Sequence, residues 1–265
     1  MTTSPHPEPR ETAPDGGDAA SAENQDAAIR RRPAEPIFNV PSIVALLAAA
    51  CVVVHVARVY LLTADQDFDL LVRTAFIPIR YSGGFELDIW AFTSPITYAF
   101  LHGGLAHLLL NMIWLLAFGS PLANRLGVAR FVAFWIVTSL GAVALHFAVY
   151  PFGQAPLIGA SGAISGMMGA AARYGFRIDR SSGRGVFGGP ILPVSAALTS
   201  RPVATFLIVW FAINLVTGLV GLGSGEDASI AWEAHIGGFL VGFFGIGAFD
   251  RKPSPPPGRE TGLDI

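Results

Sequence analysis

The chain has 265 residues, of which 52% are hydrophobic and only 14% charged, with a formal net charge of −2. This composition excludes a soluble globular domain and describes an all-α polytopic membrane protein, because only helices that satisfy their own backbone cross a bilayer as separate apolar runs. The near-neutral charge offers nothing to nucleic acid, and the single cysteine, Cys51, excludes an internal disulfide or a cysteine-rich metal site.

Residues 1–36 are rich in Pro, Glu, Asp and Ala and nearly lack large apolar side chains. Such a segment cannot bury enough surface to fold, so a disordered tail is expected. No apolar run follows Met1, which argues against a cleaved signal peptide. Arg30, Arg31 and Arg32 then stand just before the first apolar stretch, in the position of a topogenic signal.

Apolar runs at about 41–62, 98–119, 128–150, 157–172, 203–221 and 230–249 predict six transmembrane helices in a membrane domain spanning 37–250. The fourth is short for a bilayer and opens on Gly159-Ala160-Ser161-Gly162-Ala163-Ile164-Ser165-Gly166, so the segment before it is expected to dip below the surface. The 63–97 connection mixes Asp65, Asp67, Asp69, Arg73, Arg80, Glu86 and Asp88 with Phe and Trp, the pattern of a partly ordered loop lying at the interface. Arginine is used almost to the exclusion of lysine, which points to a GC-rich bacterial genome. Placing the N-terminus in the cytoplasm puts Arg30 to Arg32, Arg125, Arg130, Arg173, Arg177, Arg180, Arg184, Arg201, Arg251 and Lys252 inside. Arg73, Arg80, Glu226 and Asp227 then lie outside, and the short tail 251–265 is cytoplasmic.

In that topology the second, fourth and sixth spans run in one direction, so their N-terminal ends share a depth. There stand His102, His107 and Asn111, then Ser161, then His235. Polar side chains within spans are costly unless they pair or line a wet cavity, which makes their coincidence in depth a candidate site. Small residues around Ser161 also fit a plain helix-packing seam. What favours chemistry is the imidazole: a serine needs a base, and His235, followed by Gly237, Gly238 and Gly242, can be brought against the bare fourth helix. His107 and Asn111, spaced i and i+4, share a helix face. Together with the N–H of Ser161 they are candidate donors to an oxyanion, although Asn111 also fits a helix bridge. No carboxylate is expected deep in a span, and Glu233 faces another side of its helix than His235, so a Ser-His dyad is expected rather than a triad. His55 and His146 are left without partners and read as structural. Zinc fits worse: H-E-x-x-H is absent, and a site from His102, His107 and His235 leaves the serine stretch unexplained.

Three motifs together carry a resemblance. Phe100-Leu101-His102-Gly103-Gly104-Leu105-Ala106-His107-Leu108-Leu109-Leu110-Asn111, Gly159-Ala160-Ser161-Gly162, and Ala234-His235-Ile236-Gly237-Gly238-Phe239-Leu240-Val241-Gly242 resemble, in order and spacing over about 40–250, the rhomboid intramembrane serine proteases. The resemblance implies a six-helix core whose Ser-His dyad opens to the outer face and cleaves transmembrane helices near their outer ends. By position, Ser161 is the nucleophile, His235 the base and then acid, and His107 and Asn111 the oxyanion donors, with His102, Gly159, Gly162, Gly238 and Gly242 supporting the site. It implies no cofactor or metal, membrane-protein substrates as partners, and a bacterial inner membrane as location. It also places Trp210 and Phe211 at a lateral substrate entrance. Three positions depart from it. A Trp-Arg pair is Trp90-Ala91 here; Ala123 replaces a glutamate between Gly119 and Gly127; and Ser165 replaces an aromatic four residues after the nucleophile. Ser165 is thereby a rival nucleophile, but it lacks the glycine two places before it. The competing functional readings are an inactive rhomboid-like protein that binds membrane clients, and a small transporter. Both Ser161 and His235 are present, against the first, and there is no inverted repeat to support the second.

Overall fold

The computed structural model describes residues 40–220 and 231–250. The tail expected at 1–36 with Arg30 to Arg32, the acidic pair Glu226 and Asp227, and the tail at 251–265 with Arg251 and Lys252 lie outside the described residues.

Helix α1 (Ser42–Val56) continues through a π-helical turn at Ala57–Leu61, and this whole run is long and apolar enough to cross a membrane. The 63–97 connection is more ordered than expected. It holds α2 (Ala64–Thr74), a 3-10 turn at Pro78–Tyr81, and α3 (Ile89–Thr97). Local chemistry explains both helix starts. Thr63 and Gln66 form a reciprocal capping box on α2, and the Asp88 carboxylate accepts from the Ala91 N–H at 2.9 Å.

The second span is displaced from its expected start. Its helix α4 (Leu105–Trp114) begins only after Gly103-Gly104, then runs through a π-helical turn at Leu115–Gly119 into α5 (Ser120–Leu126). Paired glycines are poor helix formers, so residues 98–104 take a 3-10 turn and an extended segment instead. At Gly127, φ of 76° turns the chain sharply into α6 (Val128–Val149), a conformation that a Cβ would disfavour.

Helix α7 (Ser161–Arg173) is the centre of the fold. Every residue from Gly162 to Ala172 is buried. Thirteen residues give a helix about 20 Å long against roughly 30 Å of hydrocarbon, so an end of α7 lies below a membrane face. A small hairpin of β1 (Ile178–Asp179) and β2 (Val186–Phe187), the short α8 (Val194–Thr199), then α9 (Arg201–Val220) and α10 (Trp232–Phe249) complete the described chain. Among the described residues four helical runs reach membrane-spanning length: Ser42–Leu61, Leu105–Leu126, Val128–Val149 and Trp232–Phe249. Helix α9 is a further, shorter apolar helix and α7 a short buried one, and with the four long runs they make an all-α membrane bundle.

Glycine sets how closely this bundle closes. Gly238 and Gly242 of α10 lie directly over the carbonyl oxygens of Gly162 and Gly166 of α7, and Gly237 lies over that of Gly141 on α6; a Cβ at any of the three would overlap backbone. Backbone therefore meets backbone along the α7–α10 seam, as small-residue patterns allow in membrane helices.

The ends of the bundle are tied by polar groups. Arg125 makes a bidentate ion pair with Asp250 at 2.9 and 2.8 Å, donates to the Phe187 carbonyl, and covers the Tyr174 ring. Arg173 donates to the carbonyls of Leu192 and Phe243. At the opposite end the connection 63–97 is stitched to the segment leading into α7. Phe76 and Leu157 exchange backbone hydrogen bonds at 3.2 and 2.8 Å, the Ile79 N–H donates to Gly153, and the Ser82 hydroxyl donates to the Pro151 carbonyl. The connection thus remains anchored with Ala91 beside Trp90. Tyr81 donates to the Ala91 carbonyl at 2.6 Å, Arg73 covers Trp90, and Arg58 pairs with Asp67 while donating to the His102 carbonyl. Ala123, at the position of the second departure, is simply packed at 5% exposure.

Replacing Gly242 by Val drives side-chain atoms into the Gly166 carbonyl, which backbone cannot yield cheaply. The expected outcome is a loss of about 3 kcal/mol or more of stability, read as a lower thermal midpoint of the purified protein in detergent, with Gly245→Val, where a Cβ meets open space, as the tolerated comparison.

Candidate active site

Ser161 is the first residue of α7, where its N–H has no intrahelical acceptor. Gly159 precedes it with φ of 119°, held by a 3.0 Å bond from its N–H to the Tyr98 carbonyl. The Tyr98 hydroxyl in turn donates to Ser139 on α6, so the turn before the serine is fixed from two sides.

The α7–α10 seam brings His235, in the first turn of α10, to this helix end. Its Nε2 lies 2.8 Å from the Ser161 Oγ. This is hydrogen-bond distance for the pair that the sequence singles out. Ser165 is buried one turn further along α7, and the imidazole is directed to Ser161.

His107 lies in the first turn of α4 and closes on the same point. A Cβ on Gly159 would meet the His107 ring at 2.9 Å, so only glycine lets the imidazole approach the turn before the serine. The His107 Nδ1 lies 3.5 Å from the Gly103 N–H, and Nε2 is at the edge of the ring beside Gly159. Asn111 is 5% exposed and spends one amide hydrogen on the His107 carbonyl at 2.8 Å, one turn back on its own helix. The amide keeps a second donor. His102 falls outside α4, in the extended segment before it, 1% exposed with its ring edge-on to His107 at 5.1 Å. It forms a wall behind His107.

Two groups were not anticipated. The other ring nitrogen of His235, Nδ1, lies 2.6 Å from Oδ1 of Asn214 on α9, and Asn214 is 6% exposed. The signal was available: an amide near the middle of the fifth apolar run meets the same rule for polar groups in spans that singled out Asn111. The second is Glu233. It is 2% exposed, so a carboxylate does lie within the bundle, and its Oε1 is 2.5 Å from Nδ1 of His146 on α6. His146 is therefore partnered, contrary to expectation. Two residues along a helix turn the side chain to nearly the opposite face, so Glu233 addresses α6 while His235 addresses α7. His55 remains buried on α1 with Nδ1 unbonded among the described residues.

Trp210 stacks on Phe239 of α10 with ring centroids 4.9 Å apart, and Phe211 packs edge-on to the same ring while 37% exposed. Beyond them a shallow apolar cleft of about 190 Å³ opens between α9 and α10, lined by Phe211, Ala212, Asn214, Leu215, Trp232 and Ile236.

Cutting the buried pair leaves His146 without its acceptor in a low-dielectric site. Glu233→Leu is expected to lower stability by about 2 kcal/mol, seen as a fall in the thermal midpoint that His146→Phe in the same chain largely reverses.

Comparison with known proteins accords with this arrangement. The rhomboid domain model matches residues 88–250, a stretch that contains Ser161, His235, His107, Asn111 and the glycine seam. RHOMBOID-like protein 5 of Arabidopsis thaliana is 28% identical over 242 residues, covering 80% of this chain and 69% of that protein. Rhomboid protease GlpG of Enterobacter sp. (strain 638) is 27% identical over 197 residues, and its counterpart from Salmonella typhi 26% over 199 residues. Each match covers 74% of this chain and 59% of the GlpG protein, so the chain spans somewhat more than half the length of those relatives. The rhomboid domain model thus covers more than half of this chain, and the chain belongs to the rhomboid family.

Proposed function

We propose that the chain is an intramembrane serine endopeptidase that cleaves transmembrane helices of other membrane proteins. The observation that carries this reading is the 2.8 Å approach of His235 Nε2 to Ser161 Oγ at the recessed end of α7. In the proposed reaction Ser161 Oγ attacks the scissile carbonyl carbon while its proton passes to His235 Nε2. The carbonyl oxygen takes up the negative charge and is met by the Ser161 N–H, by a ring N–H of His107 and by the free amide hydrogen of Asn111. The imidazolium then protonates the departing amine, the C–N bond breaks, and an acyl-serine remains. Water, deprotonated by His235, attacks this ester; the acid product leaves and Ser161 regains its proton.

The positive-inside distribution of arginine supports a topology with both termini in the cytoplasm and the serine near the outer face of a bacterial inner membrane. A substrate helix must unwind to offer its carbonyl, so spans weakened by Gly or Pro near the outer interface are the proposed substrates. Entry past Trp210 and Phe211 is consistent with the cleft between α9 and α10.

The test is labelling of the purified, detergent-solubilised protein by a fluorophosphonate. Labelling is expected in the wild type and in Ser165→Ala, and is expected to vanish in Ser161→Ala and His235→Ala. A folded wild type that takes no label overturns the reading. Loss in Ser165→Ala alone assigns the reaction to the other hydroxyl.

Acid pH should also abolish labelling, because a protonated imidazole cannot accept the serine proton. A rate independent of pH through the acid range argues against His235 as base.

A further inference from the structure

His235 is bonded at both ring nitrogens, and the second bond comes from a helix that the dyad does not include. Asn214 reaches the ring from α9 through its Oδ1 at 2.6 Å. Its amide nitrogen donates to the Trp210 carbonyl at 2.8 Å, one turn back on α9. That second bond settles which way the amide faces, since the reverse orientation would set the amide oxygen against the carbonyl oxygen of Trp210. An amide oxygen only accepts, so Nδ1 of His235 carries the ring proton. Nε2 is then the unprotonated nitrogen, and it is the one aimed at Ser161.

We infer that Asn214 is a positioning residue that holds His235 in the Nδ1–H tautomer and fixes the ring plane so that Nε2 meets the Ser161 hydroxyl. The inference rests on the protease reading for its consequence, but its geometric content stands apart from it. Without Asn214 the ring is free to place its proton on Nε2, which turns the base into a second donor facing a donor. The ring can also rotate about its side-chain bonds, because the Ser161 bond alone fixes only one edge. Asn214 touches no reacting atom, so its loss acts on the rate of serine activation and not on substrate binding.

The experiment uses Asn214→Leu, which keeps the branching at Cγ and suits a membrane helix, and Asn214→Asp, which keeps the acceptor. Fluorophosphonate labelling rate, kcat and KM on a transmembrane substrate, and 15N-histidine NMR of the full chain are measured together, with the His235 signal assigned by its absence in His235→Gln. The expected result is a fall in labelling rate and kcat on the order of 10²-fold in Asn214→Leu at unchanged KM, with activity restored to near wild type in Asn214→Asp. NMR is expected to show His235 as the Nδ1–H tautomer in the wild type and in Asn214→Asp, and as a tautomer mixture in Asn214→Leu. Labelling of Asn214→Leu within twofold of wild type overturns the inference, as does a wild-type His235 protonated on Nε2. If the wild type takes no label while its tautomer still depends on Asn214, the protease reading fails and the positioning role stands.

Discussion

The contact on which the site depends is backbone against backbone: Gly238 over the Gly162 carbonyl and Gly242 over that of Gly166. Bilayer hydrocarbon gives no hydrophobic reason for two apolar helices to associate, so close van der Waals contact along bare helix faces must supply it. That same contact sets the separation at which an imidazole on α10 and a hydroxyl on α7 come within hydrogen-bond reach. Distance in the site is thus inherited from packing several residues away. The side chains at the site have little part in bringing the two helices together.

Around that fixed pair the remaining groups arrive from elements with different degrees of support. Ser161 stands on a helix enclosed on every side, and its preceding turn is held by Tyr98 and by the backbone exchange of Phe76 with Leu157. His107 comes from α4, admitted by the missing side chain of Gly159. Asn214 comes from α9, whose Ile208, Ile213 and Val216 are more than half exposed and which meets the bundle through buried Val203, Phe206 on Phe176, and Trp210 and Phe211 on Phe239. Ser161 therefore heads the most enclosed helix of the described residues, while the group behind the imidazole sits on one of the least enclosed.

Much of this was legible in the sequence because membrane helices advertise themselves. Long apolar runs gave α1, α6 and α10 nearly to the residue, and the glycines after His235 announced the seam. The second span was read too early because hydropathy does not register that Gly103-Gly104 interrupts a helix while staying apolar; those two residues move the start of α4 to Leu105. Glu233 and Asn214 escaped for another reason. Glu233 is read from its own helix alone, by its angular position relative to His235, and Asn214 is not singled out at all. Their partners, His146 and His235, sit on helices brought alongside by tertiary packing, which helical periodicity does not encode.

The complete enclosure of α7 bears on how this sequence can drift. From Gly162 to Ala172 each position already holds glycine, alanine, serine, isoleucine or methionine against a neighbour, and nearly every change adds volume where none is free. Helix α1, by contrast, turns Leu46 and Val53 outward at 65% exposure each, where one apolar side chain serves lipid as well as another. Added volume is accordingly absorbed at the lipid-facing periphery and refused along the short inner helix, so the two regions differ in what substitutions they tolerate.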